Sequence, residues 1–100
     1  MRFGCLLLAA TACAATPEQF FNSRVAPILT RRCLPCHNNQ LNNAGISFQT
    51  PVTVPLTLVL RAVRGEGRIQ MPPGPTLRKR EIAILNKWVQ DGAIWGNPLK

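Results

Sequence analysis

The feature that most constrains this chain is the run Cys33-Leu34-Pro35-Cys36-His37. Two thiols three positions apart, with a histidine directly after the second, form the attachment signature of a c-type haem. Each thiol adds across one vinyl group, and the adjacent imidazole binds the iron. We therefore expect one covalently attached haem, bound through Cys33 and Cys36.

Two other kinds of site use a two-residue gap between cysteines. A structural zinc site needs about four ligands, and the chain has no second pair of ligands beyond Cys33, Cys36 and His37. A thioredoxin-like dithiol needs a strand-helix-strand pattern around the motif, and the surrounding sequence does not have one. Both alternatives are weaker than haem attachment.

The N-terminus has the pattern of an export signal. Arg2 is followed by an apolar stretch and by small residues, which predicts a signal peptide over residues 1–15, cleaved between positions 12 and 15. Residues 16–100 then form one domain in the periplasm. No segment reaches the roughly 20 apolar residues of a transmembrane span. Cys13 follows a degraded lipid-attachment box, so a lipid anchor at Cys13 is an alternative to a free protein.

The first helix is predicted to begin at Thr16. Thr16 as N-cap, Pro17 at the first helical position and Gln19 at the third form a variant of the capping box. The apolar residues that follow repeat at helical spacing toward Arg31. Pro27 removes a backbone donor and clashes with the preceding turn, so we expect a kink or a break there.

Two further helices are predicted. The second covers Pro55 to Arg64, with Gly65 as a left-handed C-terminal cap. The third runs from Leu77 or Arg78 to Gln90. Residues 38–51 are rich in asparagine and are predicted to be a loop.

The second axial ligand of the iron decides between electron transfer and ligand binding. His37 is the only histidine, and Met71 is the only methionine besides the initiator. Met71 precedes two prolines, which stiffen its loop, so a thioether can be held against iron there. The alternative is that Met71 is an ordinary core side chain.

Several segments resemble the small exported cytochromes c, and specifically the planctomycete-type cytochrome c domain. They include residues 20–29, 61–67, 71–73, 81–85 and 88–95. The resemblance covers nearly all of residues 16–100. It implies a class-I-like monohaem cytochrome c domain in which Cys33 and Cys36 hold the haem, His37 is the proximal ligand and Met71 the distal one. It also implies a compact all-α, cytochrome c-like fold with about three main helices around one covalently attached haem, in which the first and last helices cross beside the haem edge.

The composition and charge bear on partners. Without residues 1–15 the chain keeps 11 Lys and Arg against 4 Asp and Glu, and such a basic surface steers a carrier toward acidic redox proteins. Solubility alone is an equal explanation for this charge. Nucleic acid is not an expected partner of an exported haem protein.

The sequence lacks paired carboxylates, a nucleophile with a second histidine as base, and a phosphate-binding glycine loop. We therefore expect an electron-transfer protein rather than an enzyme: a His37/Met71-ligated carrier of single electrons between exported redox proteins. The alternatives are a sensor or ligand-binding domain with a labile sixth ligand, and a haem-bearing subunit of a larger oxidoreductase.

Overall fold

The computed structural model describes residues 15–100. The predictions of a signal peptide, of its cleavage between residues 12 and 15 and of a lipid anchor at Cys13 fall on or depend on residues 1–14, which lie outside the described part. In residues 15–100 no helix is long and apolar enough to cross a membrane.

The described part of the chain is helical, as expected for an all-α protein. In chain order, its elements are α1 (Pro17–Phe20), a π-helical turn (Phe21–Val25), α2 (Ala26–Arg32), a 3-10 turn (Asn43–Gly45), α3 (Leu56–Arg64) and α4 (Lys79–Gln90). Residues 15–100 form no β-strand, and a single isolated bridge pairs His37 with Asn42.

The N-terminus of α1 is capped as the sequence predicts. The amide of Gln19 donates to Thr16 Oγ1 at 3.0 Å, and the amide of Thr16 donates to Gln19 Oε1 at 2.8 Å. This reciprocal capping box satisfies two donors that would otherwise lack partners at the helix start.

Pro27 does not break the first helix. A break is one of the two outcomes that the sequence predicts there, and a kink is the other. The preceding turn widens instead into the π-helical turn Phe21–Val25, in which the amide of Ala26 donates to the carbonyl of Phe21, five residues back. A π turn of this kind accommodates a residue that cannot join the regular ladder. α1, the π-helical turn and α2 therefore form one continuous rod that ends at Arg32.

The two later helices confirm the predicted segments. α3 begins at Leu56, one residue after Pro55, and ends at Arg64. Gly65 follows as its C-terminal cap, in the left-handed conformation with a φ of +70°. α4 begins at Lys79, with Arg78 as its N-cap. Positive charge at a helix N-terminus opposes the helix dipole. Here the carboxylate of Glu81, which accepts from the Arg78 amide at 2.9 Å, offsets that charge.

The core joins the first rod to the last helix. Phe21 is fully buried, and its ring lies 5.6 Å from that of Trp88 and 4.8 Å from that of Trp95. The indole Nε1 of Trp88 donates to the carbonyl of Ile94 at 2.9 Å, so this buried N–H has a partner within the protein.

The remaining core residues come from all three helical segments and from the loops between them. They are Val25, Ile28, Leu29, Leu34, Phe48, Leu60, Val63, Leu77, Leu85 and Leu99. The cysteine-histidine motif follows the end of α2 directly, so the buried rod fixes where the motif begins.

Candidate functional site

The backbone of the motif forms one compact turn at the end of α2. The amide of Cys33 donates to the carbonyl of Leu29 at 3.0 Å, which continues the helix into the motif. The amides of Cys36 and His37 both donate to the carbonyl of Cys33, at 3.2 and 2.9 Å. The turn thus brings together three of the four predicted site residues, and both thiols are free.

The imidazole of His37 is held in one tautomer. Its Nδ1 lies 3.0 Å from the backbone carbonyl oxygen of Asn43, and because a carbonyl can only accept, Nδ1 carries the hydrogen. This leaves the lone pair of Nε2 free to bind a metal, the arrangement in which a carbonyl orients a histidine ligand. Sequence reasoning missed this contact, because a backbone carbonyl leaves no signal in residue identity.

The loop after the motif is ordered by side-chain bonds to the backbone. Asn38 Oδ1 accepts from the amides of Gln40 and Leu41, at 2.9 and 2.7 Å, and Asn38 Nδ2 donates to the carbonyl of Leu34 at 2.8 Å. Such asparagine turns replace regular secondary structure. They help to position the segment that carries the carbonyl facing His37.

Phe48 packs beside the histidine. It is buried, its ring meets the imidazole edge-on at a centroid distance of 5.9 Å, and its amide donates to the carbonyl of His37 at 2.8 Å. Phe48 therefore limits the movement of the imidazole on one side.

The two thiols differ in their surroundings. Burial raises the pKa of Cys33 from 9.0 to about 12; the positive charge of Arg32 opposes this shift, and the negative charge of Glu81 adds to it. Cys36 is exposed. The folded site therefore keeps the Cys33 thiol protonated at neutral pH.

This protonation bears on the dithiol alternative. A reactive dithiol needs a thiolate, and burial of Cys33 disfavours one. In residues 15–100 no three side chains of histidine, cysteine, aspartate or glutamate are grouped to hold one metal ion. The absence of a strand from the same residues also leaves no thioredoxin-like framework around the motif.

Met71 lies in a separate loop. Its side chain is half-buried, its amide donates to the carbonyl of Ala62 in α3 at 3.1 Å, and the peptide bond to Pro72 is cis. Within the described part of the chain, no hydrogen bond joins Met71 to the motif itself. α3 therefore anchors the start of this loop.

Arg32 connects the same loop to the motif, and sequence reasoning missed this residue. Its Nη2 donates to the carbonyls of Pro75 and Thr76, at 2.7 and 2.8 Å. The partners are 43 and 44 positions away along the chain. The only signal available was its place directly before Cys33.

The donors present fit a covalently attached haem. Two free thiols can form thioethers, His37 can offer its Nε2 because Nδ1 is the nitrogen that faces the Asn43 carbonyl, and Met71 offers a neutral sulfur. A thioether is uncharged, so burial at Cys33, which works against a thiolate, does not work against this bond. Two cysteine thiols, an imidazole and a thioether are the kinds of group by which proteins attach and ligate a c-type haem.

The basic side chains lie mainly on the surface. Three of the four acidic residues are in ion pairs: Glu81 with Arg31 at 3.7 Å, Glu66 with Arg64 at 3.7 Å, and Asp91 with Lys87 at 2.8 Å. In residues 15–100 several exposed cations have no such pair, namely Arg24, Arg61, Arg68, Arg78, Lys79, Arg80 and Lys100.

In comparisons with known proteins, no protein-family model, no curated protein and no solved structure matches the chain.

Proposed function

We propose that this protein is a class-I-like monohaem cytochrome c that carries single electrons, with haem c bound through Cys33 and Cys36 and ligated by His37 and Met71. The observation that carries the proposal is the site around His37. A histidine whose Nδ1 faces the carbonyl of Asn43 stands directly after two free thiols on one turn.

The chemistry of the group when bound is a one-electron ferric–ferrous couple, whose potential a thioether ligand raises relative to a second imidazole. The role of the protein's residues is to hold the ligand groups in a state that can bind the iron. Asn43 keeps the hydrogen of His37 on Nδ1, and Phe48 packs against the edge of the imidazole. Met71 has no titratable proton, so its donor sulfur stays uncharged and unprotonated at all ordinary pH values.

The attachment is tested by mass spectrometry of the denatured protein, produced with its export signal in a host that attaches haem to exported proteins. We expect the added mass of one haem on the wild type, and none on the double variant Cys33→Ala/Cys36→Ala. His37→Ala separates attachment from ligation, because it keeps both thiols. A wild-type protein without the added mass would refute the proposal.

Electron transfer is tested by voltammetry of the haem-loaded protein. We expect one reversible one-electron wave, since Met71 and His37 fill both axial positions in either oxidation state. Sluggish or irreversible waves, with rapid carbon monoxide binding to the reduced protein, favour the alternative in which the sixth ligand is labile.

We further propose that the partners are acidic redox proteins of the periplasm. The support is the set of exposed, unpaired cations, among them Arg78, Lys79 and Arg80 at the start of α4. Opposite charges speed encounter at low salt, and salt screens that attraction.

Small oxidants test this charge without a known partner. We expect the oxidation rate with an anionic reagent, ferricyanide, to fall as ionic strength rises, and replacement of Arg78, Lys79 and Arg80 by glutamine to weaken that dependence. The matched control replaces three other exposed, unpaired cations, Arg24, Arg61 and Arg68, by glutamine. If the variant at Arg78, Lys79 and Arg80 keeps the wild-type salt dependence, or loses no more of it than the control, these three residues do not steer anionic partners.

A further inference from the structure

The loop that contains Met71 has an unusual shortage of backbone donors. Pro72, Pro73 and Pro75 carry no N–H. The segment can therefore offer few amides to the rest of the protein, and its remaining contacts are made mainly by its carbonyls. The structure ties the loop at both ends, by an amide of the loop at its start and by two carbonyls of the loop at its end.

The start of the loop is anchored through Met71 itself, whose amide donates to the carbonyl of Ala62 in α3. The end is anchored by Arg32, whose Nη2 lies 2.7 Å from the carbonyl oxygen of Pro75 and 2.8 Å from that of Thr76. Arg32 is the last residue of α2 and the neighbour of Cys33. One side chain thus ties the loop to the start of the motif.

The chemistry of arginine suits this position. A single guanidinium nitrogen carries two hydrogens and can bridge two consecutive carbonyls, and hydrogen bonds from a charged donor are stronger than neutral ones. The Nε of Arg32 is buried and finds no acceptor among the described residues. Leaving Nε without an acceptor is unfavourable, and the bonds that Nη2 donates to Pro75 and Thr76 offset this cost.

We propose that Arg32 is a positioning residue that keeps Met71 available as the axial ligand, by holding the loop 71–76 against the haem-binding motif. The inference rests on the proposed function. It assigns Arg32 no contact with the haem.

Arg31 provides a matched control. It is the neighbouring arginine of the same helix, its side chain is 62% exposed, and its partner is Glu81 rather than the loop. Arg31→Gln and Arg32→Gln therefore remove the same charge from adjacent positions, and only Arg32→Gln removes the bonds to Pro75 and Thr76.

The test compares these variants as haem-loaded proteins, well below their unfolding temperatures. Two readouts follow the ligand: the weak sulfur-to-ferric charge-transfer band in the near red, and carbon monoxide binding to the reduced protein. For Arg32→Gln we expect a weakened band and carbon monoxide binding about tenfold faster, a factor that corresponds to the loss of roughly one charge-assisted hydrogen bond. Arg31→Gln should behave as the wild type.

The outcomes separate the two proposals. If the wild type has the band and Arg32→Gln matches Arg31→Gln in both readouts, the positioning role is wrong while the proposed function stands. If the wild type lacks the band, both are wrong. A purely structural Arg32 would lower the unfolding temperature and leave both readouts unchanged.

A second pair of variants covers the case in which Arg32→Gln does not fold. Arg32→Lys keeps the charge and a donor but loses the planar guanidinium, and Arg31→Lys is its control. We expect carbon monoxide binding to be a few-fold faster in Arg32→Lys only, about the effect of one weakened hydrogen bond. Equal rates in the two lysine variants would overturn the assignment.

Discussion

Phe21 joins the first helical rod to the last helix, and its replacement tests that packing. The ring is fully buried, and it contacts the indoles of Trp88 and Trp95 at centroid distances of 5.6 and 4.8 Å. Phe21→Ala removes the ring from both contacts and leaves a cavity that the surrounding helices cannot fill without moving.

The loss of folding stability expected for Phe21→Ala is large for a domain of this size. Truncating a buried phenylalanine to alanine costs about 3–5 kcal/mol, of which each aromatic pair accounts for about 0.5–1.5 kcal/mol. We therefore expect Phe21→Ala to lower the free energy of unfolding by about 4 kcal/mol. In a small domain each kcal/mol shifts Tm by about 4–8 °C, so Tm should fall by roughly 15–30 °C.

The assay is thermal unfolding of the purified protein, followed by the far-ultraviolet circular dichroism of its helices. Phe20→Ala is the matched control, because the neighbouring ring is half-buried and lies 5.7 Å from the ammonium of Lys87. That variant should lose only about 1 kcal/mol. If the two variants melt within a few degrees of each other, the packing of the first helix on the last is not as described.

Two further substitutions test smaller features. Gly96→Ala would place a Cβ about 2.8 Å from a backbone carbonyl of α1, so we expect a loss of about 1–3 kcal/mol in the free energy of unfolding; Gly74→Ala, which meets nothing within 4 Å, should leave Tm unchanged, and equal Tm values would contradict the close approach. Thr16→Ala removes the N-cap and should cost about 1 kcal/mol, while Thr16→Ser keeps the hydroxyl and most of the stability. Denaturant unfolding measures this pair, and identical midpoints would mean that the cap does not hold α1.

Local signals in the sequence predicted the helices well. Thr16, Pro17 and Gln19 predicted the start of the first helix, and Gly65 predicted the end of α3, because capping depends on residues within one turn. The effect of Pro27 was only partly predicted. A proline shows where a helix is strained, but whether the chain kinks, breaks or widens into a π turn depends on the packing around it.

The candidate site also has features that the sequence predicts and features that it does not. Cys33, Cys36 and His37 are adjacent in sequence, so their association on one turn follows from their spacing. The contact of His37 with the Asn43 carbonyl and the bridge from Arg32 to the carbonyls of Pro75 and Thr76 involve backbone acceptors. Every residue has such an acceptor, so composition and spacing carry no information about which one is used.

The central claim is that His37 and Met71 together ligate a covalently bound haem, and one optical measurement tests it most directly. The oxidised, haem-loaded protein should have the near-red sulfur-to-ferric charge-transfer band. Met71→Ala should abolish that band, and Ile69→Ala, at an exposed position two residues before Met71, should keep it. A wild-type spectrum without the band, or a band that survives in Met71→Ala, would contradict the account.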